Sequence, residues 1–481
     1  MSNKKEDIID VRNPRTGAYD FTLKITGKQE ISQIVERLRE NQFIWRQKSV
    51  EERITVMQTW SEVLKEYRTE LINVVTVDTG RKYESIREVD NLSKWIDKWS
   101  IIAKKELQPY RSSSSLPMVE AESDYAAYPI AGIISPWNFP LSLSLMDAIP
   151  ALLAGCATII KPSEITPRFI EVITKTIDKV PELSKVLKYV PGDGSTGAAL
   201  IENVDMVCFT GSVKTGRMVA IKSAERFIPS FLELGGKDPA IILKSADIDR
   251  ATSAILFGSV LGAGQQCYSL ERLYVDESIV DKFILSLKEK ANKLTLAYPT
   301  PESGEIGPII SEDQAEILAD QLQDAIDKGA IVHCGGEIEN LGGGKWCRPT
   351  VISNVNSTMK IASKETFGPI MPIISFTNLN KAIEMANDSD FGLSGAVFAG
   401  SKEEAMEVAQ QLEVGGVSIN DAGITPFFIG DDDEHSKNSF KNSGLGGSRL
   451  GSKSINRFIR RKAIFSNSSS TPSPWWFTLD E

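Results

Sequence analysis

The period of the hydrophobic positions changes twice along this chain. From 29 to 107, apolar residues recur at helical spacing: Ile31, Ile34, Val35 and Leu38, then Ile54, Met57, Val63 and Leu64. That spacing lines one face of a helix, so the stretch is expected to be a set of amphipathic helices. Four serines, Ser112–Ser115, then interrupt the pattern as an expected loop and boundary. Pro117–Tyr128 reads as extended and partly polar. From Ile130, short apolar runs alternate with helical stretches. Strands are expected at Ala131–Ile134, Ala157–Ile160, Val186–Val190, Met206–Phe209 and Phe231–Leu234. Helices are expected at Leu141–Leu153, Arg168–Asp178, Thr196–Glu202 and Lys214–Ala224. This alternation predicts a parallel sheet with helices on both faces. A second α/β stretch runs from Pro239 to Asn420, with strands expected at Ala240–Leu243, Arg272–Val275, Met371–Phe376 and Gly416–Ile419. No internal repeat is visible. Asp431–Glu434 is an acidic loop tip, and a Ser/Pro-rich tail ends in Trp475, Trp476 and Phe477.

Bulk properties narrow the function classes. The 481 residues suffice for about three domains. Hydrophobic residues are 41% and charged residues 25%, an ordinary globular balance. With a formal net charge of -10 and no large basic cluster, nucleic acid is not an expected partner. No apolar run reaches the roughly 18–20 residues of a membrane span. The N-terminal segment has no apolar signal core, so a cytoplasmic location is the default expectation. Cys156, Cys208, Cys267, Cys334 and Cys347 are scattered and odd in number, which fits a reducing compartment without disulfides. The aromatic tail suits contact with lipid or protein, and packing on the chain's own surface or on a partner subunit is the favoured reading.

Two segments carry candidate chemistry. Phe231–Lys237 puts the carboxylate of Glu233 beside two glycines, and Gly264–Cys267 puts the Cys267 thiol in a Gly/Ala-rich stretch. An ionised thiol is a strong nucleophile and a carboxylate can activate water. Together they suit formation and hydrolysis of a thioester. Asn138, in Pro136–Pro140 directly after an apolar strand, offers a neutral amide for an oxyanion. Taken singly, each has a plainer reading: a buried structural Cys, a solvated strand-end Glu, a turn Asn. Gly192–Gly197 matches G-x-G-x-x-G after a strand, but no acidic residue stands about 20 positions on, as the dinucleotide fingerprint requires. The His333, Cys334 and Cys347 group lacks paired ligand spacing, so no metal site is expected.

Six segments occur in the order of the aldehyde dehydrogenase superfamily, and the chain resembles that family over roughly residues 10–465. They are Trp137-Asn138, Lys161–Glu164, Phe209–Ser212, Glu233–Lys237, Gly264–Cys267 with Arg272 following, and Glu365–Pro369. The resemblance implies an α/β fold with a Rossmann-type cofactor domain (1–112 and 129–234), an α/β catalytic domain (235–440) and a small bridging sheet (113–128 and 441–481). It implies Cys267 as nucleophile, Glu233 as the base that activates water, and Asn138 with the Cys267 backbone N–H as oxyanion donors. It implies NAD(P) contacts from Trp137, Lys161, Ser163, Glu164, Gly194, Phe209, Thr210, Gly211, Ser212, Leu234, Gly235, Glu365 and Phe367. Phosphate binding would fall to Gly211-Ser212 at a helix start. Glu164 would favour NAD by accepting from the ribose 2′-hydroxyl, with NADP still possible because Lys161 stands close by. A strand near Lys462–Ser466 would pair across the interface of a homodimer or homotetramer.

The chain departs from the family at three positions. Many members carry Lys where this chain has Asp147, and Arg and Glu where it has Gly447 and Ser448. These changes bear on any proton relay and leave Cys267, Glu233 and Asn138 in place. Residues after Pro426 form a lengthened acidic loop. Trp137, Phe139, Leu141, Leu145, Tyr268, Phe427 and Phe428 suggest an apolar aldehyde, aliphatic, aromatic or isoprenoid. Two rivals stay open at this point: an acylating relative that passes the thioester to coenzyme A, and a non-catalytic protein that keeps the fold.

Overall fold

The computed structural model describes residues 8–113, 115–116, 118–424 and 435–477. Its first sheet has six strands, in the order Gly444–Leu445, Ser230–Glu233, Met206–Thr210, Ile130–Ile134, Ala157–Lys161 and Leu187–Tyr189. All pairs are parallel except the one made by Gly444–Leu445. The central strands are almost wholly buried, which is why they read as unbroken apolar runs. Helices Lys28–Trp45, Val50–Glu66, Arg68–Thr79 and Lys82–Glu106 pack with this sheet in one core that holds Trp45, Trp60 and Trp99.

The second sheet has seven strands: Ile331–Cys334, Thr350–Ser353, Ile370–Phe376, Leu270–Asp276, Asp238–Ile242, Ser394–Phe398 and Gly416–Ile419. Only the Ile331–Cys334 edge runs antiparallel. A third sheet joins Ile459–Asn467, Val119–Ala127 and Tyr110–Ser113. Here Ile459–Asn467 pairs with Val119–Ala127 of the same chain through nine residue pairs. Its other edge carries no strand among the described residues.

Three differences from the sequence reading have local causes. Ser112 and Ser113 are not loop residues but the end of an edge strand. Arg111 faces Glu122 across that pair and bonds it at 2.7 Å, so charge and register carry a strand that has almost no apolar signal. The single helix expected at Leu141–Leu153 is two, Pro140–Leu145 and Ala148–Ala154. Pro150 has no N–H to close the turn across the break, and Asp147 is drawn into a buried ion cluster there. The N-terminal hairpin Ile8–Arg12 and Tyr19–Lys24 was not anticipated, because its residues are mostly polar or exposed. No helix among the described residues is long and apolar enough to cross a membrane.

Candidate active site

Ligands of open parallel sheets gather outside the carboxyl ends of the strands. A cavity of about 590 Å³ lies there, at Ile134, Lys161 and Thr210. Trp137, Ser163, Glu164, Gly194, Phe209, Gly211 and Ser212 also line it. Two helices begin at its rim. The Asp193 carboxylate accepts from the Ser195 and Thr196 N–H groups at the start of Gly194–Ile201. The Ser212 hydroxyl accepts from Thr215 N–H at 3.2 Å and caps Val213–Glu225. Lys161 Nζ bonds Glu164 Oε2 at 2.8 Å inside the cavity, so the Glu164 charge is already paired.

A smaller cavity of about 150 Å³ continues inward, lined by Trp137, Asn138, Thr210, Leu234, Gly235, Cys267, Glu365 and Phe367. The Trp137 and Phe367 rings meet edge-on at 5.4 Å between centroids. Glu365 Oε1 accepts from Gly236 N–H at 3.0 Å. Burial, then the charge of Glu271, pushes the Glu365 carboxyl up to about 7, against Gly236 N–H and Lys237. A buried brace holds this strap. Glu271 accepts from Thr366 N–H and Phe367 N–H, each at 2.7 Å. Lys237 Nζ donates to Glu271 at 2.9 Å and to Thr366 Oγ1 at 2.7 Å.

A third cavity, about 140 Å³, lies beyond Cys267. Cys267 and Asn138 line both small cavities and stand on the wall between them. The turn that brings Cys267 there is left-handed: Gly262, Ala263 and Gly264 have φ of 64°, 56° and 67°. At Gly264 a Cβ would strike the carbonyl of Gly368, so glycine is required for space as well as for φ. Asn138 Nδ2 donates to Gln265 O at 2.9 Å, leaving its second amide hydrogen for another acceptor. The Arg81 guanidinium anchors the same segments through the carbonyls of Asn138 and Gly262.

Burial pushes the Cys267 thiol up to about 12, with Lys437 opposing and Asp238, Glu233 and Glu365 adding to the rise. Glu233 ends its strand opposite Thr210 and Gly444. Its Oε2 accepts from the Ser439 hydroxyl at 3.0 Å, and it lines neither small cavity. Asp147 is the centre of a buried cluster with Arg449 at 2.7 Å and Arg457 at 3.0 Å. Burial alone would push its carboxyl up, and the two arginines outweigh that and hold it below its ordinary value. Arg449 also donates to Thr210 Oγ1, and Ser448 Oγ accepts from Lys437 N–H.

The expected substrate tunnel needs correction. Phe139 and Tyr268 line the third cavity, but Leu141 and Leu145 are fully buried in the core and Trp137 faces the other two cavities. Phe427 and Phe428 lie outside the described residues. The remaining wall is mostly apolar, with Trp95, Leu143, Met146 and Leu261 beside Glu84, Arg87, Glu88, Asn91, Ser142 and Gln266, and Glu84 and Glu88 already accept from backbone N–H groups. Arg81, Glu271, Lys437, Ser439 and Arg449 escaped the sequence reading, because nothing near them in the chain marks what they touch.

The aldehyde dehydrogenase family profile matches residues 1–464. This chain belongs to the aldehyde dehydrogenase family. A Mycolicibacterium smegmatis relative, provisionally named a succinate-semialdehyde dehydrogenase using NADP(+), is 33% identical over 87% of this chain and 83% of its own length. Among solved structures, an Anabaena variabilis protein provisionally named the aldehyde dehydrogenase PutA is 50% identical, with a TM-score of 0.96 over 98% of this chain and all of that one. Betaine aldehyde dehydrogenase of Staphylococcus aureus, solved with NAD+, is 30% identical with a TM-score of 0.90 over 98% and 93% of the two chains. The fold is that of this family: a Rossmann-like NAD(P)-binding domain, an α/β catalytic domain and a small bridging sheet. The protein is an NAD(P)-dependent oxidoreductase of the non-acylating aldehyde dehydrogenase type.

Proposed function

We propose that this aldehyde dehydrogenase oxidises its substrate to the carboxylic acid through a thioester on Cys267. The observation that carries the reading is the position of Cys267 and Asn138, which share the wall between the two small cavities. The Cys267 thiolate adds to the aldehyde carbon. The resulting oxyanion is held by the free Asn138 amide hydrogen and the Cys267 N–H. A nicotinamide held by Trp137, Glu365 and Phe367 would supply the acceptor for the hydride that leaves this carbon. Glu233 takes a proton from water, and the hydroxide attacks the thioester carbon, releasing acid and thiolate.

The cofactor residues fit such a group. The 590 Å³ cavity meets two helix N-termini, which favour phosphate, and Glu365 has a carboxylate suited to ribose hydroxyls. NAD is the favoured form through Glu164, softened by its bond to Lys161. We assign the cofactor domain to residues up to 109 and 129–234 with the edge strand Gly444–Leu445, which pairs with Ser230–Glu233 and so leaves the bridging group expected from sequence. The catalytic domain is 235–440, and the bridging sheet is Tyr110–Ser113, Val119–Ala127 and Ile459–Asn467. Ile459–Asn467, with one open edge, is the element offered to a second copy in a homodimer. The third cavity, lined by Trp95, Phe139, Leu143, Met146 and Leu261 with Glu84 and Glu88 held by backbone N–H groups, supports an apolar aldehyde as the substrate class.

Glu233→Gln tests the mechanism. Hydride transfer should survive while the thioester persists. Rapid mixing should show a burst of NADH near one equivalent per site, then a steady state about 10²–10⁴-fold slower than wild type. Wild-type turnover in this variant would remove Glu233 from the mechanism.

A further inference from the structure

The nucleophile has an electrostatic problem that the assigned residues do not solve. Burial disfavours the Cys267 thiolate, and three carboxyl groups face it: Asp238 from the second sheet, Glu233 from the edge of the first, and Glu365 from the strap. Tyr268, the next residue, is half-buried, and desolvation holds it in its neutral form. A positive side chain comes from an unexpected place, the segment that follows the acidic loop. Lys437 is fixed at both ends. Its N–H donates to Ser448 Oγ at 3.0 Å and its ammonium donates to Ser394 Oγ at 2.6 Å.

Ser394 connects this ammonium to the nucleophile's surroundings. Ser394 N–H donates to Asp238 Oδ1 at 3.0 Å. The Asp238 carboxylate and the Cys267 carbonyl both crowd Gly236, where a Cβ would collide with that carbonyl. Lys437, Ser394 and Asp238 therefore form a chain of hydrogen bonds whose last member sits against Gly236 beside the Cys267 backbone. Asp238 Oδ2 is buried without a hydrogen-bond partner, as suits a carboxyl kept neutral in this setting, and burial pushes its pKa well up. A neutral Asp238 leaves the lysine's field directed at the thiol. Lys237 cannot serve in its place, since its ammonium is spent on Glu271 and Thr366.

We propose that Lys437 is the positioning cation of the nucleophile: moored on Ser394, which in turn holds Asp238 beside the Cys267 backbone, its ammonium stabilises the Cys267 thiolate and so sets the fraction of enzyme ready to attack. The proposal rests on the reading of Cys267 as nucleophile. It gives the chain beyond the acidic loop two duties, because Ser439, two residues on, bonds Glu233. One short segment would then tune both the attacking group and the group that resolves the thioester.

The test is the pH profile of iodoacetamide alkylation at Cys267, read by peptide mass spectrometry in the full-length protein. Wild type, Lys437→Met, Lys437→Arg and Ser394→Ala are compared. Lys437→Met should alkylate about tenfold more slowly at pH 8 and converge with wild type at high pH, where thiolate no longer limits. Lys437→Arg should stay within about twofold of wild type, and Ser394→Ala should slow by about two- to fivefold. Coincident wild-type and Lys437→Met profiles would overturn the proposal. Should Lys437→Met fail to fold, an unchanged Ser394→Ala profile overturns it instead. If alkylation of wild-type Cys267 leaves NADH formation intact, the reading of Cys267 itself fails. If alkylation abolishes it and the profiles coincide, only the role of Lys437 falls.

Discussion

The outer cofactor cavity and the region around Cys267 are held by different physical means. At the outer cavity, strand ends and helix starts place backbone N–H groups. Around Cys267, buried charges do the placing, and the Lys237–Glu271 pair braces the strap that carries Phe367. Arg81 clamps two carbonyls, Glu84 accepts from Gly262 N–H at 3.0 Å, and Glu88 accepts from Ser142 N–H at 2.9 Å. Asp147 gathers two arginines from the C-terminal segment, and one of them, Arg449, reaches Thr210 at the cofactor cavities. A backbone-built site tolerates side-chain change, because its donors belong to the fold. A site built from buried charges does not, because each removed partner strands another in low dielectric.

The largest effect should separate chemistry from both. Cys267→Ala should drop NADH formation to background while melting temperature and NAD affinity stay at wild-type values. Appreciable turnover would refute Cys267 as the reacting group. Next comes the charged framework. Asp147→Ala leaves Arg449 and Arg457 buried without their carboxylate and should cost about 3–5 kcal/mol in urea unfolding. A loss below about 1 kcal/mol would show that the cluster is solvated in practice and erase the contrast drawn here.

Smaller effects belong to the cofactor side. Glu365 has a carboxyl pushed up to about 7, so it gains charge as pH rises through neutrality. If it accepts from ribose hydroxyls, NAD should bind more tightly at pH 8 than at pH 6. Titration calorimetry on Glu365→Gln should show that dependence flattened; an unchanged slope would assign it elsewhere. Smallest of all, Glu164→Gln should narrow the NAD over NADP preference in kcat/KM by a few fold, with stability changed by less than about 0.5 kcal/mol. Equal use of both cofactors by the wild type would show that Lys161 already cancels Glu164.

The same division explains what could be read from the sequence. Ile130–Ile134, Ala157–Lys161 and Met206–Thr210 are buried on both faces, and their loops carry contiguous motifs, so strand and candidate site residues stand together in the text of the chain. Ser394–Phe398 is just as buried, but its Ser-Gly-Ala start gives little apolar contrast. The edge strand ending at Ser113 owes its register to a cross-strand ion pair, which has no local signature. Lys437 and Ser439 touch residues some 200 positions earlier in the chain or in the neighbouring sheet. No periodicity or motif encodes such pairings, and only the assembled fold brings them together. The aromatic tail shows the opposite limit. Trp475, Trp476 and Phe477 are 55%, 59% and 96% exposed, so of the reading favoured from sequence, packing on the chain's own surface or on a partner subunit, the single chain does not show the first.

The strand that ends in Glu233 also bears on how the protein is made. Among the described residues its outer edge is covered only by Gly444–Leu445, and the Ser439 that bonds Glu233 lies 206 residues further along the chain. A ribosome adding about 5–20 residues per second takes roughly 10–40 s to cover that distance. Throughout that interval the nascent cofactor sheet presents an unpaired edge, the kind of surface that recruits other strands. Chains stalled or cut between residues 368 and 443 should therefore be found in aggregates, even though they already contain every residue that lines the two cavities on that side and Cys267 itself.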